Sequence, residues 1–223
     1  SFLSGGRDRK EHLSMDRKKS KTREYVESIL IAALIALVVR SFVIQAYKIP
    51  SGSMEPTLLV GDHLLVNRMS YVVKMPFTDT VLFTTGKPRR GDIVVFRYPE
   101  DPSKDYIKRV IATEGEKVEI RNKVIYIDGK KITDPWGHFK PDLGARGFTP
   151  FIDKDNMSPV VVPKDSYFVM GDNRDNSLDS RYWGFVNERH LVGKALIIYF
   201  SWDSNAMNVL HHIRWSRIAW LIK

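Results

Sequence analysis

Lys108 stands in the run YIKRVI (106–111), an amine set among apolar neighbours with strand-like alternation. The period of two puts Tyr106, Lys108 and Val110 on one face and Ile107, Arg109 and Ile111 on the other. A lysine becomes a catalytic base only when it is neutral near pH 7. Burial in apolar surroundings achieves this by lowering its pKa from about 10.4. Such a base suits a serine hydroxyl, a weak nucleophile that needs a neighbour to take its proton. Most strand lysines instead reach out to water, so the pattern alone leaves both readings open.

Elimination narrows the chemistry. There is no cysteine, hence no thiol nucleophile, cysteine-bound zinc or disulfide framework. The histidines at 12, 63, 138, 190, 211 and 212 lack metal-ligand spacing. No phosphate loop, dinucleotide fingerprint, H-E-x-x-H or G-x-S-x-G elbow occurs, and no Asp-Thr-Gly pair suggests an aspartic protease. His63, His138 and His190 have no context that suggests a Ser-His-Asp triad. Serine with a base other than histidine remains, and no metal or cofactor is implied.

The elements that must position such a pair follow from the patterning. At 223 residues and 43% hydrophobic content, the chain suits one domain, or one domain plus an anchor, and is too polar for several membrane spans. The formal net charge is +9, and residues 1–24 carry eight Lys/Arg against four acids. This basic tail lacks the interleaved aromatics or motif of a nucleic-acid binder. Its first fourteen residues, ahead of Met15-Asp-Arg-Lys-Lys, are read as a tag or upstream sequence. Residues 29–39 are then uninterruptedly apolar, with no polar stripe of the kind an amphipathic core helix carries. A single transmembrane anchor is expected over 25–46, its N-terminus cytoplasmic because the positive cluster precedes it.

Residues 47–223 read as a mainly β extracytoplasmic domain. Strands are expected at 64–68, 92–98, 106–113, 117–120, 124–127, 166–170 and 191–202. Arg121-Asn122-Lys123 and Asp128-Gly129 mark hairpin turns. A Pro-, Gly- and Asp-rich stretch gives an inserted loop or small subdomain at 128–165. The C-terminal IRWSRIAWLIK reads equally as an interfacial helix or as a closing piece of the core.

Four separated motifs occur in order: SGSMEPTL (51–58), RRGDIVVF (89–96), YIKRVIATEGE (106–116) and GDNRDNSLDSRYWG (171–184). Together they resemble those of bacterial type I signal peptidases, membrane-anchored Ser/Lys endopeptidases. The C-terminal IRWSRI also has a counterpart. The resemblance implies a β-rich fold like that of signal peptidases and repressor autoproteases, with Ser53 as nucleophile and Lys108 as general base. It implies that the Ser53 N–H and the Ser51 hydroxyl hold the oxyanion. Ser177 would orient the lysine, and Asp179 and Arg181 would form a supporting ion pair. Tyr47, Ile49, Met54, Leu58, Tyr106 and Ile107 would line shallow subsites for small residues at −1 and −3 of the substrate.

The implied partners are secretory preproteins and the lipid bilayer, not nucleic acid, at the bacterial inner membrane with the catalytic domain on the periplasmic side. The oligomeric state is not readable from the sequence. Ala112, Glu114 and Glu116 depart from the family's usual glycine, proline and aspartate. Two alternatives stay on the table. A repressor-type Ser/Lys autoprotease would need a helix-turn-helix in place of the anchor. A non-catalytic anchored binding domain would have no use for Ser53 and Lys108 together.

Overall fold

The computed structural model describes residues 21–74, 80–139, 153–206 and 212–222. Most of the basic tail, the middle of the expected insert and part of the C-terminal segment lie outside these residues. The chain divides into two compact units, Ser1–Leu37 and Val38–Lys223.

The apolar run forms an α-helix, α1 (Lys21–Phe42), of 22 residues. Its Ile29, Leu30, Ile31, Leu34, Ile35 and Leu37 are all exposed, as expected where no polar face alternates with an apolar one. Among the described residues, no helix is long and apolar enough to cross a membrane.

The rest is mainly β. In chain order the strands are β1 (Ile44–Lys48), β2 (Asp62–Asn67), β3 (Val72–Lys74), β4 (Val81–Thr84), β5 (Ile93–Tyr98), β6 (Asp101–Ala112) and β7 (Lys117–Arg121). There follow β8 (Val124–Ile127), β9 (Lys130–Lys131), β10 (Met157–Val161), β11 (Ser166–Met170), β12 (Val186–Asn187), β13 (Leu191–Ser201) and β14 (Trp220–Leu221), with a one-turn helix α2 (Ser180–Trp183) between β11 and β12. The main sheet runs β1-β2-β13-β5-β6-β11-β12, and β14 pairs with β13. A second sheet runs β10-β7-β8-β9, and β3 pairs with β4 alone.

β1 was expected to lie partly within the anchor. The helix ends at Phe42 instead, and every residue of β1 pairs antiparallel with β2, from Ile44 opposite Asn67 to Lys48 opposite His63. Ladder hydrogen bonds to a neighbouring strand outweigh a local apolar pattern that fits helix or strand equally. The second sheet includes β7 and β8, so it begins before residue 128, where the insert was placed. The C-terminal segment closes the sheet through β14, and Ile222 is buried.

The two hairpins of the second sheet follow from their turn residues. Asn122 and Lys123 both have positive φ between paired Arg121 and Val124. Asp128 and Gly129 do the same between Ile127 and Lys130. Two left-handed residues match the right-handed twist of the flanking strands.

The run IVVF of β5 is apolar at every position because both of its faces are covered. Ile93 and Val95 join Leu64, Val66, Ala195 and Ile198 in one cluster. Val94 and Phe96 join Val110, Val169 and Leu191 in another. A third cluster ties the main sheet to the second one through Ile111, Phe168, Val118 and Ile125. Leu64 is fully buried, and Leu64→Ala is expected to cost about 2–5 kcal/mol by lost transfer energy and a residual cavity. Chemical denaturation of the full chain measures this as a lowered midpoint with an unchanged slope.

Candidate active site

Ser53 lies in a single 3-10 turn, Gly52–Met54, that follows β1. The turn is held from several sides. Met54 and Leu58 are fully buried beneath it, and the Leu58 N–H donates to the Met54 carbonyl at 2.9 Å. Asn173 donates its backbone N–H to the Ser53 carbonyl at 3.1 Å and its side-chain amide to the Gly52 carbonyl at 2.9 Å. Thr57 donates its hydroxyl to Asp172, and Arg217 donates to the Thr57 carbonyl at 2.8 Å. These contacts fix the backbone that carries the Ser53 side chain.

Lys108 sits in β6, opposite Val94 of β5. Its amine lies 2.7 Å from Ser53 Oγ. The residue is only 4% exposed, with its Nζ 5.6 Å from the centre of the Tyr106 ring, on the face that alternation assigns to both. Burial pushes its pKa down to about 8, although the charges of Asp179 and Asp172 oppose the shift. Each of these carboxylates is itself paired. Arg109 grips Asp172 with two hydrogen bonds of 2.8 and 2.7 Å, both residues being fully buried. Arg181 grips Asp179 with two of 2.9 Å. The Arg181 guanidinium beside Asp179 offsets part of this pull, and desolvation is the largest cause.

The motif at 171–181 is a buried polar scaffold. Asp179 caps α2, accepts from the Gly171 N–H at 3.0 Å and binds Arg181. Burial pushes its carboxyl up, but the charge and hydrogen bonds of Arg181 outweigh this and the net shift is downward. Arg181 also donates to the Arg174 carbonyl at 2.7 Å. Gly171 is required by close approach, since a Cβ there would collide with the Ser177 side chain and the Ser53 carbonyl. Ser177 is 1% exposed, and its hydroxyl is among the groups that hold the Asp179 carboxyl down. The hydrogen bond of the Lys108 amine runs to Ser53.

Beside the Ser53–Lys108 pair lies a cleft of about 480 Å³. Its walls include Ser51, Ser53, Tyr106, Ile107 and Lys108, together with Asp105 and Leu178. Ser51 is exposed in extended backbone. Ile49, Met54 and Leu58, expected along the subsites, are core residues at 2%, 0% and 0% exposure and underlie the nucleophile turn. Tyr47 packs on the same cluster, half-buried. No cluster of ligating side chains that could hold a metal occurs among the described residues.

Asn173, Gly171, Asp172 and Arg109 escaped the sequence reading. The only signal was the polar density of GDNRDNS beside an arginine inside an apolar strand, which a solvent-exposed turn would also produce. The departures at 114 and 116 have partners of their own. Glu116 accepts from the Thr113 N–H at 2.7 Å and pairs with Arg90, while Glu114 pairs with Lys87.

The match to known proteins covers most of the chain. Residues 22–202 match the family model described as signal peptidase, peptidase S26. The chain belongs to the peptidase S26 family. A signal peptidase I of Pseudomonas aeruginosa is 38% identical over 214 residues, spanning 84% of this chain and 75% of that protein. One from Pseudomonas fluorescens is 38% identical over 227 residues, 90% of this chain and 79% of its own length. One from Aquifex aeolicus is 33% identical over 228 residues, covering 80% and 84%. The S26 motifs are thus carried on a sheet that brings 53 and 108, far apart in sequence, within hydrogen-bond reach.

A folded pKa of about 8, below the ordinary lysine value of 10.5, means that the fold disfavours the ammonium. This penalty is present in full below about pH 8 and vanishes as pH rises towards 10.5. Lys108→Met, close in size and uncharged, is expected to raise Tm at pH 7, with the difference from the parent shrinking above pH 8. Melting curves from pH 6 to about 10 test the sign.

Proposed function

We propose that this chain is a membrane-anchored endopeptidase that removes signal peptides from exported preproteins, with Ser53 as nucleophile and Lys108 as general base. The observation that carries this reading is the 2.7 Å contact between a buried lysine amine and a serine hydroxyl at the wall of an open cleft. Family membership and the relatives named signal peptidase I support the substrate class.

In the proposed reaction, neutral Lys108 takes the Ser53 proton as Oγ attacks the carbonyl of the −1 residue. The Ser53 N–H and the Ser51 hydroxyl hold the developing oxyanion, where one such donor is worth about 3–4 kcal/mol of barrier in other hydrolases. The ammonium returns its proton to the leaving amine, which is the N-terminus of the mature protein. Water then enters, Lys108 takes its proton, and hydrolysis of the ester releases the signal peptide. Ser177, buried beside Asp179, is assigned to steady the lysine during these transfers. Asp179 and Arg181 are assigned to hold the wall behind it.

The acyl side of the substrate lies extended along the cleft between the segment after β1 and the outer part of β6. Tyr106 and Ile107 face it, and the buried Ile49, Met54 and Leu58 supply the floor beneath. Such a cleft favours small residues at −1 and −3 by excluding bulk. We assign the apolar run to a single bilayer anchor with the basic tail on the cytoplasmic side, an assignment that rests on the sequence, since no described helix meets the length and apolarity of a span. The eleven apolar residues at 29–39 and the positive cluster before them support this.

Ser53→Ala is expected to reduce preprotein cleavage to background. Lys108→Ala is expected to lower it by about 10²–10⁴-fold or more, the usual worth of a positioned base. Replacing the histidines should leave activity intact. Retained cleavage in Lys108→Ala would remove the dyad from consideration. Because the base must be neutral, the rate should climb tenfold per pH unit on the acid side and level off above about 8. A flat profile under conditions where chemistry limits the rate would contradict a lysine base.

A further inference from the structure

The nucleophile turn is clamped by residues 172 and 173, and those residues have a support of their own. It comes from residues 134–138, which follow β9 of the second sheet and are not among the walls of the cleft. Both terminal nitrogens of Arg174 donate to the Asp134 carboxylate, one of them at 2.9 Å. Arg174 is fully buried, and a guanidinium in that position requires such a partner. His138 forms a parallel bridge with Asn173. Its N–H donates to the Asp172 carbonyl at 2.8 Å, and its carbonyl accepts the Arg174 N–H at 2.9 Å.

The Trp136 ring covers the Arg109 guanidinium at 4.7 Å from its centre, within cation–π reach. Arg109 is the group that grips Asp172. Where the chain returns from the insert, Lys154 donates to the Asp175 carboxylate at 2.7 Å. Gly137 fits the tight packing, since a Cβ there would lie 2.6 Å from the Asp134 carboxylate and 2.7 Å from the Arg174 guanidinium. Residues 172–175 therefore have two sides. One meets the nucleophile turn, where Asp172 accepts the Thr57 hydroxyl and Asn173 donates to the Gly52 and Ser53 carbonyls. The other meets the insert.

We propose that residues 134–138 are a strut that acts through residues 172–174 to hold the Ser53 hydroxyl against Lys108, with Asp134 and Trp136 as positioning residues for the reaction. This inference rests on the Ser/Lys peptidase reading above and gives the second sheet a part in it. Neither side chain touches a reacting atom. Asp134 acts through Arg174 on the backbone that carries Asn173, and Trp136 acts through Arg109 on Asp172. Without either, the clamp on Gly52 and Ser53 shifts, and a misplacement of about 1 Å can cost about 10²-fold in rate. Substrate binding is left intact, because the Tyr106 and Ile107 wall belongs to β6 and is paired with β5.

The experiment compares the full chain with Asp134→Asn, Trp136→Ala and Trp136→Phe on one preprotein peptide. In Asp134→Asn and Trp136→Ala, kcat is expected to fall about 10–100-fold with KM within about twofold of the parent. Trp136→Phe keeps an aromatic face over Arg109 and should hold kcat within about threefold of the parent. Glu119→Gln removes a carboxylate of the same sheet that pairs with Arg121, and it should keep the parent kinetics. Hydrogen exchange at the Asn173 amide, the donor to Ser53, should quicken about tenfold in Asp134→Asn and Trp136→Ala while β5 and β13 keep their protection.

Unchanged kcat in both folded variants overturns the strut, as does a loss carried by KM or an equal loss in Glu119→Gln. Trp136→Phe as slow as Trp136→Ala also overturns it. If Asp134→Asn does not fold, the two Trp136 variants decide. Loss of folding in Asp134→Asn and Trp136→Ala together counts against it, because the segment would then serve stability and not placement. Failure of the unmodified chain to cleave the peptide, or cleavage that survives Ser53→Ala, instead sinks the underlying peptidase reading, and exchange at Asn173 still tests the strut.

Discussion

An amine buried against a serine hydroxyl is the constraint around which the rest of this domain is arranged. Desolvation is the only influence strong enough to bring a lysine near neutrality, because the carboxylates around it act in the opposite sense. Lys108 must therefore sit where water cannot follow its side chain. It occupies the middle of the main sheet, with β5 on one side of its strand and the residues after it carrying on into two hydrophobic clusters. The sheet is a structural support and also the low-dielectric medium in which the base functions.

A buried base is useful only if its partner is delivered to it at short range. The nucleophile turn is too short to hold itself, so its carbonyls are clamped by Asn173 and its far end by Asp172 and Arg217. These clamps bring charge into the interior. Each carboxylate is met by a bidentate arginine, as a buried charge requires. The pairing has a second effect, since a lone carboxylate near Lys108 would hold it protonated. Neutralised pairs allow rigid polar scaffolding beside a base that has to lose its proton.

Much of this was legible in one dimension. The doubly buried β5 and the two hairpins have unambiguous periods and turn residues, and the structure follows them closely. β6 begins at Asp101, ahead of the expected start at 106, and is buried on both faces from Lys108 to Ala112. Other elements were not legible, for identifiable reasons. β1 continues an apolar run, and only its ladder to β2 distinguishes strand from helix. β3 is three residues long with Val72 and Val73 both buried, and β4 is exposed throughout, so neither shows a period. β14 is two residues long and exists through β13. The Met54 and Leu58 side chains read as pocket walls because apolar residues beside a nucleophile suit either a wall or a floor. Burial places them in the core cluster.

The lack of cysteine removed thiol chemistry, and no fold can supply a missing group. The pattern alone left Lys108 open, and four ordered motifs that resemble a known family singled out Ser53 and Lys108. The separation of Ser53 from Lys108 by 55 positions is bridged only by the packing of a turn against a strand, so their contact belongs to the tertiary structure. So does the proton affinity of Lys108. The same side chain on an open strand face would be an ordinary ammonium, and it is enclosure by distant residues that makes it a base.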